Sequence, residues 1–345
     1  MTETNYFKSL ADYDEKKLNI VFFGTAIFDD LMARLTSLFN VAIFDGCNMP
    51  PVMEEFHRAL SESHGSIGTN IKFDKALLNQ YCQKLRVIST ISVGYDNFDV
   101  PEVTRLGIPL MNTPDVLTET CADTAFCLIM ASARRLLELA NRMKRGEWTG
   151  PIGVNWFGSD FHSKTLGILG MGRIGIAIAR RAIGFQMDVL YTNRSESVDA
   201  ASVNARRVDL DSLLKQSDFL VIAAPLTTET YHIIGKEQLS KMKNTAFLIN
   251  IARGQLVDEP ALVEALQNRV IAGAGLDVFE KEPLSMDSPL LTMDQVVALP
   301  HIGSATHQTR HAMAECGVNN LIRILTNTQH GTKNCTFTSS QYSEN

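Results

Sequence analysis

Short apolar runs alternate along the chain with stretches whose apolar positions recur every three or four residues. That alternation predicts parallel strands joined by covering helices, an α/β fold. A first set of runs is Ile20–Gly24, Val41–Phe44, Ser66–Thr69, Val87–Thr90 and Pro109–Met111, with helical patterns such as Asp29–Leu38 and Pro51–Ser61 between them. These form one small doubly wound domain. A second set is Thr165–Leu169, Met187–Thr192, Phe219–Ala224, Ala246–Ile251, Ala274–Phe279 and Val296–Leu299, connected by helices such as Ile174–Ile183 and Glu259–Gln267. These form a second, larger α/β domain. Between the sets runs one long helical stretch, from about Cys121 to Lys144. It is apolar on more than one face through Phe126, Leu128, Ile129, Met130, Leu136, Leu137 and Leu139. A helix apolar on several sides is sandwiched between two surfaces. The second surface is either the chain's own core or another subunit, and the sharper expectation is a subunit interface.

Composition narrows the class. The chain has 345 residues, 45% of them hydrophobic, enough for about two domains. Net charge is -6, from 32 basic and 38 acidic residues, so no basic excess draws a nucleic-acid backbone. The six cysteines, Cys47, Cys82, Cys121, Cys127, Cys316 and Cys335, form no C-x-x-C pair or zinc-like cluster. They read as buried free thiols in a reducing compartment. The opening MTETNYFKSLADYDEKK is polar and lacks the apolar core of a signal peptide. Apolar runs such as Phe126–Ala131 are too short to span a bilayer. A soluble cytoplasmic protein with a loose polar tail over His330–Asn345 is expected.

The segment TLGILGMGRIGIAIARRAI holds Gly170, Gly172 and Gly175 in G-x-G-x-x-G spacing, at the end of a strand and the start of a helix. In that context the first glycine makes a tight turn. The second lets backbone approach a pyrophosphate, and the third lets helix and strand pack closely. Amides at the helix start then hold the phosphates. The second strand ends in Asn193, Arg194 and Ser195, where an NAD site usually carries Asp or Glu for the ribose 2′-hydroxyl. A carboxylate repels a 2′-phosphate, whereas a guanidinium and a hydroxyl bind it. NADPH is therefore expected over NADH.

Reduction of a 2-keto acid needs an anchor for the carboxylate, a polariser for the carbonyl and a proton for the oxygen. An arginine serves the first two needs. A protonated histidine serves the third, and a carboxylate beside it favours its charged form. Arg253 in NIARG, Glu282 in GLDVFEKEP and His301 in LPHIGSATH each follow a strand of the second set. Ligands bind at that carboxyl edge in open α/β sheets. His307 and His311 stand four apart on a helical pattern, but no third ligand lies near, and a solvated helix face is the better reading. No metal site and no serine or cysteine nucleophile is expected.

The blocks SVGYDN, NTPDVLTETCADTAF, LGILGMGRIG, PLTTET, NIARGQLVDEPAL, GLDVFEKEP and PHIGSAT resemble the D-isomer-specific 2-hydroxyacid dehydrogenase family, from about Ile20 to Leu325. NWFGSDFHSKTLGI and LSMDSPLL with PHIGSATHQTR look most like its bacterial glyoxylate/hydroxypyruvate reductase group, which also reduces 2-ketogluconate. The resemblance implies a Rossmann-type coenzyme domain, residues 114–305, inserted in a flavodoxin-like substrate domain made of residues 1–113 and 306–345. It also implies a homodimer through the long helix after residue 120. On the matching positions it gives Arg253 the substrate carboxylate and carbonyl, Glu282 the partnership with histidine, and His301 the acid/base role. Amides of Val93 and Gly94 bind the substrate carboxylate, and Asp277 holds the nicotinamide carboxamide. Cofactor contacts extend to Arg173, Ile174, Pro225, Thr230, Ile251, Ala252, His301 and Gly303. Asn193 departs from the family's acid and puts NAD preference in doubt.

The function so implied is NADPH-preferring reduction of glyoxylate, hydroxypyruvate and 2-ketogluconate to D-2-hydroxy acids. Because SVGYDN falls in the first set and the catalytic residues in the second, two lobes that close on substrate are expected. Loops near Ser92 and Trp148 set the pocket size. One alternative is a corepressor-like binding protein of the same fold that senses dinucleotide without turnover, since fold alone does not fix function. The complete Arg–Glu–His set argues for turnover. A phosphoglycerate dehydrogenase often carries a further regulatory domain for which no length remains, and a formate dehydrogenase has another partner where Glu282 stands.

Overall fold

A computed structural model describes residues 13–24, 28–44 and 50–327. Cys47, Cys335, the polar opening before residue 13 and the tail expected over His330–Asn345 lie outside the described residues. The chain divides into two compact units, Met1–Leu117 with Thr306–Asn345, and Thr118–Ala305.

The first unit runs β1 (Asn19–Phe23), α1 (Asp29–Leu38), β2 (Asn40–Phe44), α2 (Pro50–Glu62), β3 (Gly65–Gly68), α3 (Lys75–Tyr81), β4 (Val87–Thr90), α4 (Val100–Arg105) and β5 (Leu110–Met111). Its five strands are all parallel, in the order β2-β1-β3-β4-β5. That is the flavodoxin-like order. The strands read as continuous apolar runs because helices cover both faces. On one face Phe23, Phe56 and Phe73 pack ring to ring, with Leu60 and Leu78 fully buried beside them. On the other, Ile20, Ile67 and Val87 meet Val318, Leu321 and Leu325 of the helix His307–Thr326. The last described helix thus belongs to the first unit's core. Helix starts follow sequence chemistry: Asp74, Asp99 and Thr306 each accept the amide of the residue three further on.

The second unit contains α5 (Thr118–Ala133), α6 (Leu136–Lys144), β6 (Thr165–Leu169), α7 (Arg173–Gly184), β7 (Asp188–Thr192), β8 (Arg206–Arg207), α8 (Leu210–Gln216), β9 (Phe219–Ile222), α9 (Lys236–Lys241), β10 (Phe247–Asn250), α10 (Glu259–Gln267), β11 (Gly273–Leu276) and β12 (Val296–Ala298). The helix His307–Thr326 is α11. The parallel strand order β12-β11-β10-β9-β6-β7-β8 reverses direction of growth between β6 and β9. That reversal is the switch point at which Rossmann-type sheets bind ligands.

The single stretch expected over Cys121–Lys144 is two helices, not one. Arg135 adopts φ 54°, the left-handed region, between α5 and α6. The returning chain explains the break. Arg135 Nη1 donates to the carbonyls of Asn155 and Phe157 at 2.7 and 3.0 Å, and the Ser159 amide takes the Ala133 carbonyl at 2.7 Å. Phe126, Leu128 and Ile129 of α5 are buried in their own unit, against α7, β10 and β11. The exposed apolar side chains lie further on: Leu136, Leu137 and Met143 of α6, then Trp148, Ile152, Val154 and Phe157.

Among the described residues the four cysteines form no disulfide with one another, and they are not uniformly buried. Cys82 and Cys121 are buried, Cys316 is half-buried and Cys127 is exposed on α5. Burial pushes the Cys82 thiol up to about 12, so it stays protonated and inert. His311 is held by Asp30 Oδ2 at 3.0 Å and lies against the Phe28 ring, centroids 4.7 Å apart. Among the described residues no group of three metal-ligating side chains is assembled. No described helix is long and apolar enough to cross a membrane.

Candidate active site

Strand β6 delivers the glycine turn. Gly170 has φ 102°, and a Cβ there would sit 2.5 Å from the Ala224 amide nitrogen. Only glycine accepts that turn. Gly172 caps α7, and a Cβ built on it meets nothing within 4 Å, so its backbone is open to a ligand. At Gly175 a Cβ would lie 2.4 Å from the Gly170 carbonyl oxygen, which is why the helix packs this close to the strand. Arg173 is exposed and Ile174 half-buried in the first turn of α7. An open helix start beside a strand switch point fits a dinucleotide pyrophosphate.

At the end of β7, Asn193 turns inward: its Oδ1 accepts the Met171 amide at 3.3 Å and so ties the second strand to the glycine turn. Arg194 and Ser195 are exposed. Arg207 of β8 donates from Nη2 to the carbonyls of Asn193 and Arg194 at 3.0 and 2.8 Å. That places a second guanidinium at this turn, which sequence reasoning missed because an exposed two-residue strand leaves no apolar run. The loop after β9 closes on itself: Thr230 Oγ1 donates to the Pro225 carbonyl at 2.7 Å and accepts the Thr227 amide at 2.7 Å.

The three candidate catalytic residues share the carboxyl edge of the same sheet. At the end of β10, Asn250 is buried. Its side chain donates to the Arg253 carbonyl at 2.8 Å and accepts the Ala252 amide at 3.1 Å, fixing the Ile251–Arg253 turn. Ile251 is buried, and Ala252 and Arg253 are half-buried. The next residue must be glycine, because a Cβ on Gly254 would lie 1.8 Å from the Phe279 carbonyl carbon. The Arg253 loop is therefore pressed onto the loop after β11. On that loop Glu282 Oε1 accepts the Phe279 amide at 3.1 Å, and Oε2 meets His301 Nδ1 at 2.8 Å.

His301 follows β12 with φ 56°, an unusual conformation for a non-glycine residue. Its amide donates to the Asp277 carbonyl at 2.9 Å, which holds it there. With Nδ1 engaged by Glu282, Nε2 is the ring atom left to face a substrate. Burial pushes the Glu282 carboxyl up, but the hydrogen bond and charge of His301, the Phe279 amide and Arg253 more than offset it. Its pKa lies below the usual range. Asp277 is almost fully buried, with its two oxygens accepting the Ile302 and Gly303 amides at 2.7 Å each. Burial outweighs those amides and pushes its carboxyl up. Besides any contact with a ligand, Asp277 shapes the turn that carries His301.

A second histidine–carboxylate pair stands on the same loops. His232 Nε2 meets Glu280 Oε1 at 2.6 Å, the His232 amide donates to the Gln255 carbonyl at 2.9 Å, and Gln255 Nε2 donates to the Glu280 carbonyl at 2.8 Å. This ties the loops after β9, β10 and β11 together. The first acid of FEKEP and the histidine after PLTTET were the available signals. Val93 and Gly94 belong to the first unit, in the turn after β4. There the Gly94 amide donates to Ser92 Oγ at 3.1 Å.

Residues 126–303 match the family described as D-isomer specific 2-hydroxyacid dehydrogenase, NAD binding domain. The chain is 58% identical over 301 residues to glyoxylate/hydroxypyruvate reductase B of Serratia proteamaculans, covering 87% of this chain and 92% of that protein. Among solved structures it resembles a glyoxylate reductase from Paecilomyes thermophila at 32% identity and a TM-score of 0.82, covering 94% of this chain and 99% of the other. It also resembles an NADPH-dependent glyoxylate/hydroxypyruvate reductase from Sinorhizobium meliloti, solved with NADP and malonate. That match has 31% identity, a TM-score of 0.79, and covers 93% of this chain and 97% of the other.

Proposed function

Because the chain belongs to the D-isomer specific 2-hydroxyacid dehydrogenase family, we propose that it reduces glyoxylate and hydroxypyruvate with NADPH to the corresponding 2-hydroxy acids. 2-Ketogluconate is a further substrate in this reading. The observation that carries it is the His301–Glu282 pair, 2.8 Å apart on the sheet edge that also bears Arg253 and the glycine turn. The nicotinamide, when bound, supplies the hydride to the carbonyl carbon.

The chain's residues do the rest. Arg253 engages the keto acid through its planar fork and draws charge toward the carbonyl oxygen. His301 Nε2 gives its proton to that oxygen, and Glu282 at Nδ1 orients the ring for the transfer. Amides of Val93 and Gly94 take the substrate carboxylate, and Asp277 takes the nicotinamide carboxamide. Loss of NADPH absorbance on adding glyoxylate, hydroxypyruvate or 2-ketogluconate tests the reading. No turnover of any 2-keto acid with either nicotinamide would leave only a dinucleotide-binding protein.

The preference for NADPH rests on the end of β7. Asn193 removes the carboxylate that would repel a 2′-phosphate, and Arg194 supplies a cation. A charge-assisted hydrogen bond contributes about 1.5–3 kcal/mol when well formed. Arg194 is exposed, and its charge contributes in small part to lowering the nearby Glu229 carboxyl, after the Thr227 hydroxyl and Glu229's own amide. Solvent and Glu229 together set the preference near the low end, roughly ten-fold. Arg194→Ala should reduce catalytic efficiency with NADPH far more than with NADH, and Asn193→Asp should reduce NADPH use further. Equal loss with both cofactors would place Arg194 outside the 2′ site.

The same reading makes the enzyme a cytoplasmic homodimer. The exposed apolar side chains of residues 136–157 are the surface that a second copy covers. Phe157→Glu should shift the mass measured by light scattering from dimer to monomer at micromolar concentration. A monomeric wild type would end that proposal.

A further inference from the structure

The turn Ser92–Gly94 has two successive carbonyls, and both are held by the residues after β5. The Thr113 amide donates to the Ser92 carbonyl at 2.9 Å, and Asn112 Nδ2 donates to the Val93 carbonyl at 3.0 Å. Behind them, Asn320 of α11 donates from Nδ2 to the Asn112 carbonyl at 3.1 Å. Asn112, Thr113 and Asn320 are 4%, 0% and 6% exposed, so water does not compete for these bonds.

A trans peptide is planar and points its N–H opposite to its C=O. Each held carbonyl therefore sets the direction of the following amide. Holding the Asn112 carbonyl turns the Thr113 N–H toward Ser92. Holding the Ser92 carbonyl aims the Val93 N–H, and holding the Val93 carbonyl aims the Gly94 N–H. Two successive amides are thus fixed in direction by a buried ladder that starts on α11. The Gly94 N–H already meets an oxygen, Ser92 Oγ at 3.1 Å, in keeping with a donor aimed away from Asn112. A hydroxyl acceptor can yield to a carboxylate, which makes the stronger, charge-assisted bond.

We infer that Asn112, backed by Asn320, is a positioning residue that aims the Val93 and Gly94 amides at the carboxylate of the 2-keto acid. This rests on the reading that those two amides bind that carboxylate. Donors fixed before the ligand arrives need no reorganisation when it binds. Without the Asn112 side chain the 93–94 peptide rotates, and binding must reorder it. Nothing in hydride transfer passes through Asn112, so the loss falls on KM and on inhibitor binding, with kcat largely kept.

The test uses the full-length enzyme with NADPH. Asn112→Ala should raise KM for glyoxylate and the inhibition constant of oxalate by roughly ten-fold, the equivalent of one to two lost hydrogen bonds. The dissociation constant of NADPH should not move, and Asn320→Ala should act in the same direction to a smaller extent. If Asn112→Ala does not fold, Asn320→Ala carries the test alone. A lowered melting temperature with unchanged oxalate inhibition in the folded variants would mean packing only and overturn the inference. Gly94→Pro, which deletes one donor, separates the two layers. If it leaves oxalate inhibition unchanged, the carboxylate reading itself fails. If it weakens oxalate while Asn112→Ala and Asn320→Ala do not, only the positioning role fails.

Discussion

Exchange of His301 for Gln is expected to remove about a hundred- to ten-thousand-fold of 2-keto acid reduction, the usual contribution of a positioned general acid. NADPH binding should persist, because in the proposed reading the backbone of the glycine turn and the start of α7 would hold most of the dinucleotide. Glutamine is close in size and keeps polar atoms but has no acidic proton to transfer. Fluorescence titration with NADPH beside steady-state rates on glyoxylate checks both halves. A variant with near-normal rates would remove His301 from the proton path.

Glu282→Gln separates the partner from the donor. Its Oε2 lies 2.8 Å from His301 Nδ1, where a carboxylate accepts a ring N–H. Gln offers the amide oxygen in its place and no charge. Reduction draws on a proton held by the His301–Glu282 pair, so its decline with rising pH should begin at lower pH in the variant. Oxidation of the hydroxy acid needs the neutral ring and should gain activity at correspondingly lower pH. An unchanged profile in both directions would falsify the pairing. Stability follows the same sign. Glu282's pKa is depressed in the folded protein, so its charge adds stability above its unfolded pKa, and that part fades as pH falls through the folded value. The wild type should therefore lose its advantage over Glu282→Gln in acid and show it at neutral pH.

What the sequence made legible was what leaves a periodic or chemical trace. Apolar runs gave most of the strands, because their buried positions are mostly hydrophobic, with Ser66, Ser89, Thr90 and Asn250 as buried polar exceptions. The runs overshot at β9, β10 and β11. Ala223–Ala224, Ile251 and Val278–Phe279 continue the apolar character after the hydrogen-bonded ladder ends. There the chain stays packed while bending into loops, and hydropathy does not register a bend. The split at Arg135 was invisible for a related reason. No glycine or proline marks it, and its cause is a segment 20 residues later that supplies carbonyls to the arginine. Arg207 went unseen because its strand is two exposed arginines. The His301–Glu282 contact was readable as chemistry, since each residue follows its own strand and parallel strands deliver their carboxyl ends to one edge. Asp277's pair of amide bonds to the 302–303 turn was not, because a buried acid in an apolar run carries no sign of which backbone it serves.

The second large effect belongs to Arg253. Arg253→Lys should lower catalytic efficiency on glyoxylate by on the order of a thousand-fold. Loss of a two-pronged charge-assisted contact accounts for about ten- to a hundred-fold in binding. Loss of a donor aimed at the oxygen where charge develops adds a further factor in kcat. The backbone should tolerate the change. Arg253 is extended at φ -142° and ψ 141°, a conformation open to lysine, and its carbonyl is held by Asn250 rather than by its own side chain. Arginine can spread its donors, one of them Nη1 to the Ala252 carbonyl at 2.8 Å, and still present a fork. A single ammonium cannot do both. Because lysine keeps the positive charge that helps depress Glu282, the pH profile of reduction should stay in place while its height collapses. Arg253→Met, which removes the charge as well, should lose the height and also shift the profile. Lysine reaching near-normal efficiency would mean that Arg253 acts only as a charge and does not touch the keto acid.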